Sequence, residues 1–179
     1  MLQTLKHSLA LCFLFFCATS NAETITHNFH SKSFAGTLVN DGSTTRSTND
    51  GIVYTRGGDA EFYYGTGTSN VCLNLFTSGD FATISPAFSN LDSVEVNYLP
   101  SKDLSANLLV QISANGSSWS TVTPTRVHDS GHFMAVLPTS GDYYVKILRS
   151  GGEKISVTQI TYYYTTSSSD CNCFIYTPE

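Results

Sequence analysis

Histidine is the residue type in this chain best suited to acid–base or metal chemistry, because its ordinary pKa lies near neutrality. Beyond the first twenty residues the chain contains four of them: His27, His30, His128 and His132. His27 and His30 are three positions apart and would face opposite sides of a strand. Asp129-Ser130-Gly131 separates the other two and indicates a turn. No G-x-S-x-G elbow, HExxH helix or glycine-rich phosphate loop accompanies them. We therefore predict no metal site and no catalytic centre.

Paired carboxylates could hydrolyse a glycosidic bond if they lay roughly 5 to 10 Å apart. Glu61, Glu95 and Asp142 are the candidates, and each is a single acid on a separate predicted strand. Nothing in the sequence brings two of them together, so we interpret them as solvating surface charges. A small secreted hydrolase is therefore a third alternative, after a binding module and a structural spacer.

Aromatic side chains are the best candidates for contacting a ligand, since the chain has 10 Tyr, 11 Phe and 1 Trp. The apolar face of a sugar ring can lie flat on an aromatic ring whose polar edge stays hydrated. Tyrosines are adjacent at 63–64, 143–144 and 162–164, and neighbours on a strand point to opposite faces. We predict that four residues contact carbohydrate: Tyr63, Tyr143, Tyr162 and Trp119. The alternatives are cross-strand ladders for the tyrosines and core or hairpin packing for Trp119.

Three cysteines lie beyond the N-terminal apolar segment: Cys72, Cys171 and Cys173. A bond between Cys171 and Cys173 would close a very small, strained ring, so we predict that Cys72 pairs with one of them. That disulfide would close a loop of about 100 residues and stabilise the fold by a few kcal/mol. Three free thiols are the alternative, because the count is odd. A zinc site usually needs four ligands and a wider spacing.

The elements that must position these side chains are predicted to be strands. Short β-branched and aromatic runs alternate with Gly, Asn, Asp and Ser clusters, and no helical periodicity extends over a dozen residues. We predict an all-β, antiparallel two-sheet β-sandwich of the jelly-roll type. The predicted strands are 25–29, 51–55, 60–64, 71–76, 81–85, 92–99, 107–113, 119–123, 132–137, 142–149 and 154–164.

Connections between these strands are also predicted. Strand 107–113 should pair with 92–99, Asn115-Gly116 should form a tight hairpin turn, and 138–141 should be a turn. Residues 30–50 are interpreted as long loops around one short edge strand at 34–39.

The N-terminus has the three-part layout of a signal peptide, with a weakly basic start, an apolar run at 8–18 and small residues at Ser20 and Ala22. We predict cleavage after Ala22, giving a signal peptide at 1–22, a domain at 23–164 and a Ser/Thr linker with a Cys-containing tail at 165–179. The apolar run is too short for a membrane span, which needs roughly 20 residues. We expect a secreted, periplasmic or cell-surface protein, with an uncleaved anchor as the alternative.

Charge excludes two classes of partner. The formal net charge is −5 and only 13% of residues are charged. Phosphate backbones and anionic lipids both require a basic field, so we predict that nucleic acid is not a partner and that the chain does not adhere electrostatically to membranes.

Three segments resemble a known family. The hairpin at 112–122 (ISANGSSWSTV), the strands at 142–149 (DYYVKILR) and 155–160 (ISVTQI), and the strand entry at 84–88 (ISPAF) are similar to those of discoidin-like jelly-roll modules. Such galactose-binding-like modules occur in secreted and surface proteins of Bacteroidetes-type bacteria, often beside hydrolases or nucleases. The resemblance implies a glycan-binding or adhesive role. Many such modules hold a structural Ca²⁺, which stays an open alternative here without a matched carboxylate run to support it; we predict no other cofactor.

We therefore predict a non-catalytic secreted or cell-surface binding or adhesion module that recognises carbohydrate or another surface protein. The chief alternative is a structural spacer or accessory domain of a larger exported protein.

Overall fold

The computed structural model describes residues 19–29, 42–64, 71–99, 108–123, 126–128, 131–152 and 154–168. These ranges contain strands and no helix, so they hold no helix that could span a membrane. The prediction of an all-β chain is confirmed. The strands in chain order are β1 (Thr19–Asn28), β2 (Thr45–Ser47), β3 (Val53–Gly57), β4 (Glu61–Tyr64), β5 (Val71–Leu75), β6 (Phe81–Leu99), β7 (Leu108–Ser113), β8 (Ser120–Val122), β9 (Arg126–His128), β10 (His132–Arg149) and β11 (Ile155–Ser168).

All the described strands belong to one antiparallel sheet with two long strands, β6 and β10, paired at its centre. The register between them breaks where Val136 pairs with Ser93 but Gly141 pairs with Leu91, and it breaks twice more before Val145. Asn90 adopts a positive φ of 49° within the same stretch. Bulges of this kind bend strands and let one sheet turn a corner.

The breaks divide the sheet into two arms. The first arm has the order β8-β7-β10-β6-β3-β2 and uses residues 81–88 of β6 and 143–149 of β10. The second arm uses residues 91–99 of β6 and 132–136 of β10, with β9 beside β10. There β11 pairs with β6 on one side and with β1 and β5 on the other, and β4 pairs with β5.

The two arms face each other across the hydrophobic core, which gives the molecule a β-sandwich-like character. Tyr54 of the first arm and Tyr162 of the second are both fully buried, and their hydroxyl oxygens lie 3.0 Å apart. Phe29 of the second arm meets the Tyr54 ring edge-on at 5.6 Å between centroids. Alternating positions of the long strands, such as Val94 and Val96, are fully buried in the same cluster.

Several predicted connections are wrong. Strand β7 pairs with β10, not with residues 92–99 of β6, because β10 lies between them. Asn115 and Gly116 belong to a loop of six residues, 114–119, rather than a two-residue turn. Residues 138–141 lie inside β10, where the irregular register replaces a turn.

The two ends of the predicted domain also differ from the sequence analysis. β11 continues to Ser168, so residues 165–168 are strand rather than linker. Their partners are Thr19–Ala22, the first residues of β1, which belong to the predicted signal peptide. The edge strand predicted at 34–39, the signal-peptide residues 1–18 and the tail at 169–179 lie outside the described residues.

Candidate functional site

The outer face of the first arm carries a row of polar side chains that crosses five strands. The register places Thr121 of β8, Gln111 of β7, Lys146 of β10, Thr83 of β6 and Thr55 of β3 side by side. They share one face because cross-strand partners project to the same side of a sheet. We call this surface the Lys146 face and include in it Phe81, Trp119 and Tyr144. The amide of Gln111 donates to Thr121 Oγ1 at 3.2 Å.

Lys146 lies between two aromatic rings at the centre of this face. Its Nζ atom is 4.1 Å from the centroid of Trp119 and 5.2 Å from that of Phe81. Both rings are half-buried, as is the lysine. An ammonium group over an aromatic ring is attracted to the ring's electron-rich face. Burial lowers the pKa of Lys146 from its ordinary value.

Phe81 is held by a glycine on the neighbouring strand. Gly57 is the cross-strand partner of Phe81, and a Cβ placed on Gly57 would lie only 2.2 Å from Phe81 Cζ. The ring therefore occupies the space that a side chain at position 57 would need. Only glycine at this position lets the ring lie over β3 in this orientation.

Trp119 is positioned by the loop that joins β7 to β8. Asn115 Oδ1 accepts hydrogen bonds from the backbone N–H groups of Ser117 and Ser118, both at 2.9 Å. Gly116 lies against the ring of Tyr144, where an added Cβ would be 3.6 Å from the ring. The loop thus closes over β10 just before Trp119, which explains why this tryptophan reaches Lys146 and stays half-buried.

Tyr63 lies elsewhere, at the other end of the strand order. It sits on β4, whereas Trp119 directly precedes β8, and these two strands are the termini of the sheet path. Tyr63 is 38% exposed and lines a cavity of about 200 Å³ with Arg46, Arg56 and Glu61. Arg56 donates to the carbonyls of Ser43 at 2.9 Å and Gly42 at 2.8 Å, so its guanidinium fixes the backbone here.

Tyr143 is partly buried and packs against the core, with its hydroxyl 3.3 Å from Thr139 Oγ1. Its neighbour Tyr144 points to the outer face instead. Of this pair, the predicted ligand residue Tyr143 is therefore the one that contacts the core.

The outer-face ligand role predicted for Tyr162 is wrong. Its side chain is fully buried, and its ring stacks on Phe88 with 4.2 Å between centroids. It lies on the inner side of the second arm, which the first arm covers. Burial raises the pKa of Tyr162 above its ordinary value, so this hydroxyl stays protonated.

A polar network, buried except at Asp50, links His27 to the same core and was not predicted from the sequence. His27 Nδ1 lies 2.6 Å from Tyr54 Oη, and Nε2 lies 3.0 Å from Asp50 Oδ2. An Asp–His–hydroxyl chain is the arrangement that activates nucleophiles. Here the hydroxyl belongs to fully buried Tyr54, whose pKa burial raises well above its ordinary value. The network therefore ties β1 to β3 and presents no exposed nucleophile. Placement of His27 between Ile25 and Phe29 on alternate positions was the available signal of burial.

A second polar cluster lies on the outer face of the second arm. His132 Nε2 is 2.5 Å from Glu95 Oε1, and the hydroxyl of Tyr163 donates to Glu95 Oε2. The hydrogen bond to Glu95 raises the pKa of Tyr163, and burial raises it further by a smaller amount. Among the described residues, no group of three or more His, Cys, Asp or Glu side chains could hold a metal ion. His30 and the side chain of His128 lie outside the described part.

Cys72 is buried, and its thiol donates to Asn74 Oδ1 at 3.3 Å. Burial raises the pKa of this thiol, which disfavours the reactive thiolate. The other two candidate partners, Cys171 and Cys173, lie outside the described residues, so the disulfide stays a prediction.

Comparison with known families and with curated proteins finds no match for this chain.

Proposed function

We propose that this chain is a non-catalytic binding module that recognises carbohydrate through the Lys146 face. The observation that carries the proposal is the placement of Phe81 and Trp119 on either side of Lys146, on a sheet face that also presents a row of hydroxyl and amide groups. This placement supports stacking of sugar rings on the aromatic side chains while their hydroxyls meet polar partners.

The composition of the row supports this class of ligand. Thr121, Gln111 and Thr83 offer hydrogen-bond donors and acceptors. Sugar hydroxyl groups also donate and accept hydrogen bonds, so the two sets of groups are complementary. A protein ligand would favour a larger apolar centre with charge excluded. On this face two aromatic rings lie next to a lysine, and threonines occupy the neighbouring strands.

The other three residues predicted to contact carbohydrate are not part of this binding surface. Tyr63 sits at a separate edge, Tyr143 packs on the core and Tyr162 is buried. Of the four residues predicted from sequence, Trp119 remains the one assigned to this site.

Export and fold topology complete the proposal. We infer a secreted or cell-surface location from the signal-peptide layout at 1–22. The jelly-roll and discoidin-like assignment is supported by the two facing arms and by the resembling segments at 84–88, 112–122, 142–149 and 155–160. Under this proposal the ligand-binding surface is a sheet face rather than a loop end.

A glycan panel tests the function directly. Immobilised neutral and acidic polysaccharides are probed with the wild-type chain, with Trp119→Ala and with Tyr63→Ala. We expect binding by the wild type, a loss of about tenfold or more in affinity for Trp119→Ala, and wild-type affinity for Tyr63→Ala. Absence of binding across the panel by a folded wild-type chain would instead favour a structural spacer.

A further inference from the structure

We infer that the Lys146 face selects acidic glycans, whose sugar rings carry carboxylate groups, over neutral ones. The inference rests on the proposed function and specifies the chemical class of its ligand. Its basis is the chemical setting of Lys146: a cation whose described contacts are aromatic rings and which forms no ion pair within the described residues.

The charge of Lys146 is not balanced by an acid within the described residues. The ion pairs found there join His27 to Asp50 and His132 to Glu95. Within the paired stretches of the first arm, the register places threonines, serines, Gln111 and apolar side chains around Lys146, and no Asp or Glu. The one acid of β10, Asp142, is four positions away, and its Oδ1 accepts a hydrogen bond from the Asn90 N–H at 3.0 Å.

Aromatic rings satisfy an ammonium group only in part. The ring faces attract the positive charge, but a lysine has three N–H donors, and rings are poor acceptors for them. A carboxylate is the strongest complement available, because it accepts charge-assisted hydrogen bonds. Half-burial of Lys146 strengthens the attraction, since the surrounding side chains displace water.

Geometry couples stacking to this charge. Phe81 and Trp119 both lie within 5.2 Å of the same Nζ atom, so consecutive residues of one oligosaccharide can contact both rings. A sugar carboxylate placed above Nζ would then accept the N–H donors that the rings leave unused. A neutral hydroxymethyl or ester group in that place would leave the cation without an anionic partner.

The chain's overall charge of −5 does not oppose this selection at physiological salt. The Debye length is then about 8 Å, so distant acids are screened while the contact with Lys146 is not. A local cation can therefore decide specificity on an acidic protein.

The experiment compares two polymers that share a sugar ring and differ in charge: polygalacturonic acid and its fully methyl-esterified form. Calorimetric titration of the full chain should give about tenfold tighter binding of the acid form, with the advantage shrinking as salt is raised. Lys146→Met removes the charge but keeps the length of the side chain. We expect it to bind both polymers equally, and Trp119→Ala to weaken both.

Lys154→Met is the matched control, because Lys154 also lies over an aromatic ring, with Nζ 5.0 Å from the Phe76 centroid, at a different place on the molecule. It should keep the wild-type preference. Equal binding of both polymers by the wild type, or binding only of neutral glycans, would overturn the charge selection and leave carbohydrate binding standing. Binding to no glycan of any charge would overturn both.

Discussion

The side chain of Asp80 shows how single residues fix the turn before β6. It is only 1% exposed, and its carboxylate accepts hydrogen bonds from the backbone N–H groups of Asp59, Phe76 and Thr77 at 2.7 to 2.8 Å. Burial acts to raise the pKa of Asp80, but these hydrogen bonds outweigh it and the pKa is lowered.

Replacing Asp80 with asparagine turns one acceptor oxygen into an N–H₂ donor that faces N–H groups. We expect the free energy of unfolding to fall by about 1–3 kcal/mol at neutral pH. Because the folded pKa is depressed, the carboxylate's contribution is present above the unfolded value near 3.9 and is lost as pH falls through the folded value. Urea unfolding from pH 6 to pH 2 should therefore show the difference shrinking, and a constant difference would refute this role.

The hydroxyl of Tyr54 is the centre of the buried network. It lies 2.6 Å from His27 Nδ1 and 3.0 Å from the hydroxyl of Tyr162. Tyr54→Phe leaves both partners buried without it, so we expect a loss of about 1–3 kcal/mol in unfolding free energy. Tyr164→Phe removes an exposed contact to Glu23 at 3.2 Å and should change stability by less than about 0.5 kcal/mol. Equal losses in thermal unfolding would contradict the assignment.

Residue types predicted the candidate site only in part. Adjacent tyrosines at 143–144 and 162–164 correctly indicate that their side chains alternate, but alternation does not say which face another layer covers. That depends on the contact between arms, as the burial of Tyr162 by the first arm shows. Lys146 carried no signal, because its aromatic neighbours lie 27 and 65 positions away in sequence.

At the scale of elements, the contact between β3 and β6 sets the position of one ring of the site. Gly57→Ala would place a Cβ 2.2 Å from Phe81 Cζ, so the ring must move. We expect a loss of about 1–3 kcal/mol in stability and weaker glycan binding. A double-mutant cycle with Phe81→Ala checks the cause: in that background Gly57→Ala should cost little. If Gly57→Ala costs as much stability in the Phe81→Ala background as in the wild type, the cause is backbone strain at position 57 and not a clash with the Phe81 ring.

The pairing of β1 with β11 connects the predicted export leader to the fold. Thr19–Ala22 pair with Thr165–Ser168, while the pairing of β11 with β6 ends at Tyr164. Cleavage after Ala22 would remove those partners. Hydrogen exchange should then show amides of residues 165–168 protected in the full chain and fast in a chain starting at Glu23. Equal protection in both would show that other contacts hold this segment.

Strand existence was more predictable than strand extent. Segment 92–99 alternates Val94, Val96 and Tyr98 with polar residues, and the structure buries those three. Its continuity with 81–85 was not predicted, because Pro86 and the polar pair Ser89-Asn90 are typical of strand ends. The register breaks and the positive φ of Asn90 let β6 continue across the bend. Bulges of this kind leave no regular sequence pattern.

The two long bent strands, β6 and β10, fold one sheet onto itself. The arms bury the tyrosines and histidine of the inner faces, and the outer face of the first arm retains Lys146 between its rings. The alternation of β-branched and aromatic runs with turn clusters predicted the all-β class, since that pattern is local in sequence. The face that carries the aromatic rings depends on how distant strands pair, and the amino-acid composition does not determine that pairing.

Chemical-shift mapping with an acidic oligosaccharide shows directly which surface of the protein binds it. On titration of galacturonate oligomers into the isotope-labelled chain, we predict that the amide shifts concentrate on strands β6, β7, β8 and β10 around Thr83, Gln111, Thr121 and Lys146, and that the indole N–H of Trp119 moves with them. Shifts concentrated at the Tyr63 edge, or on the outer face of the second arm around Glu95, would contradict the assignment of the Lys146 face.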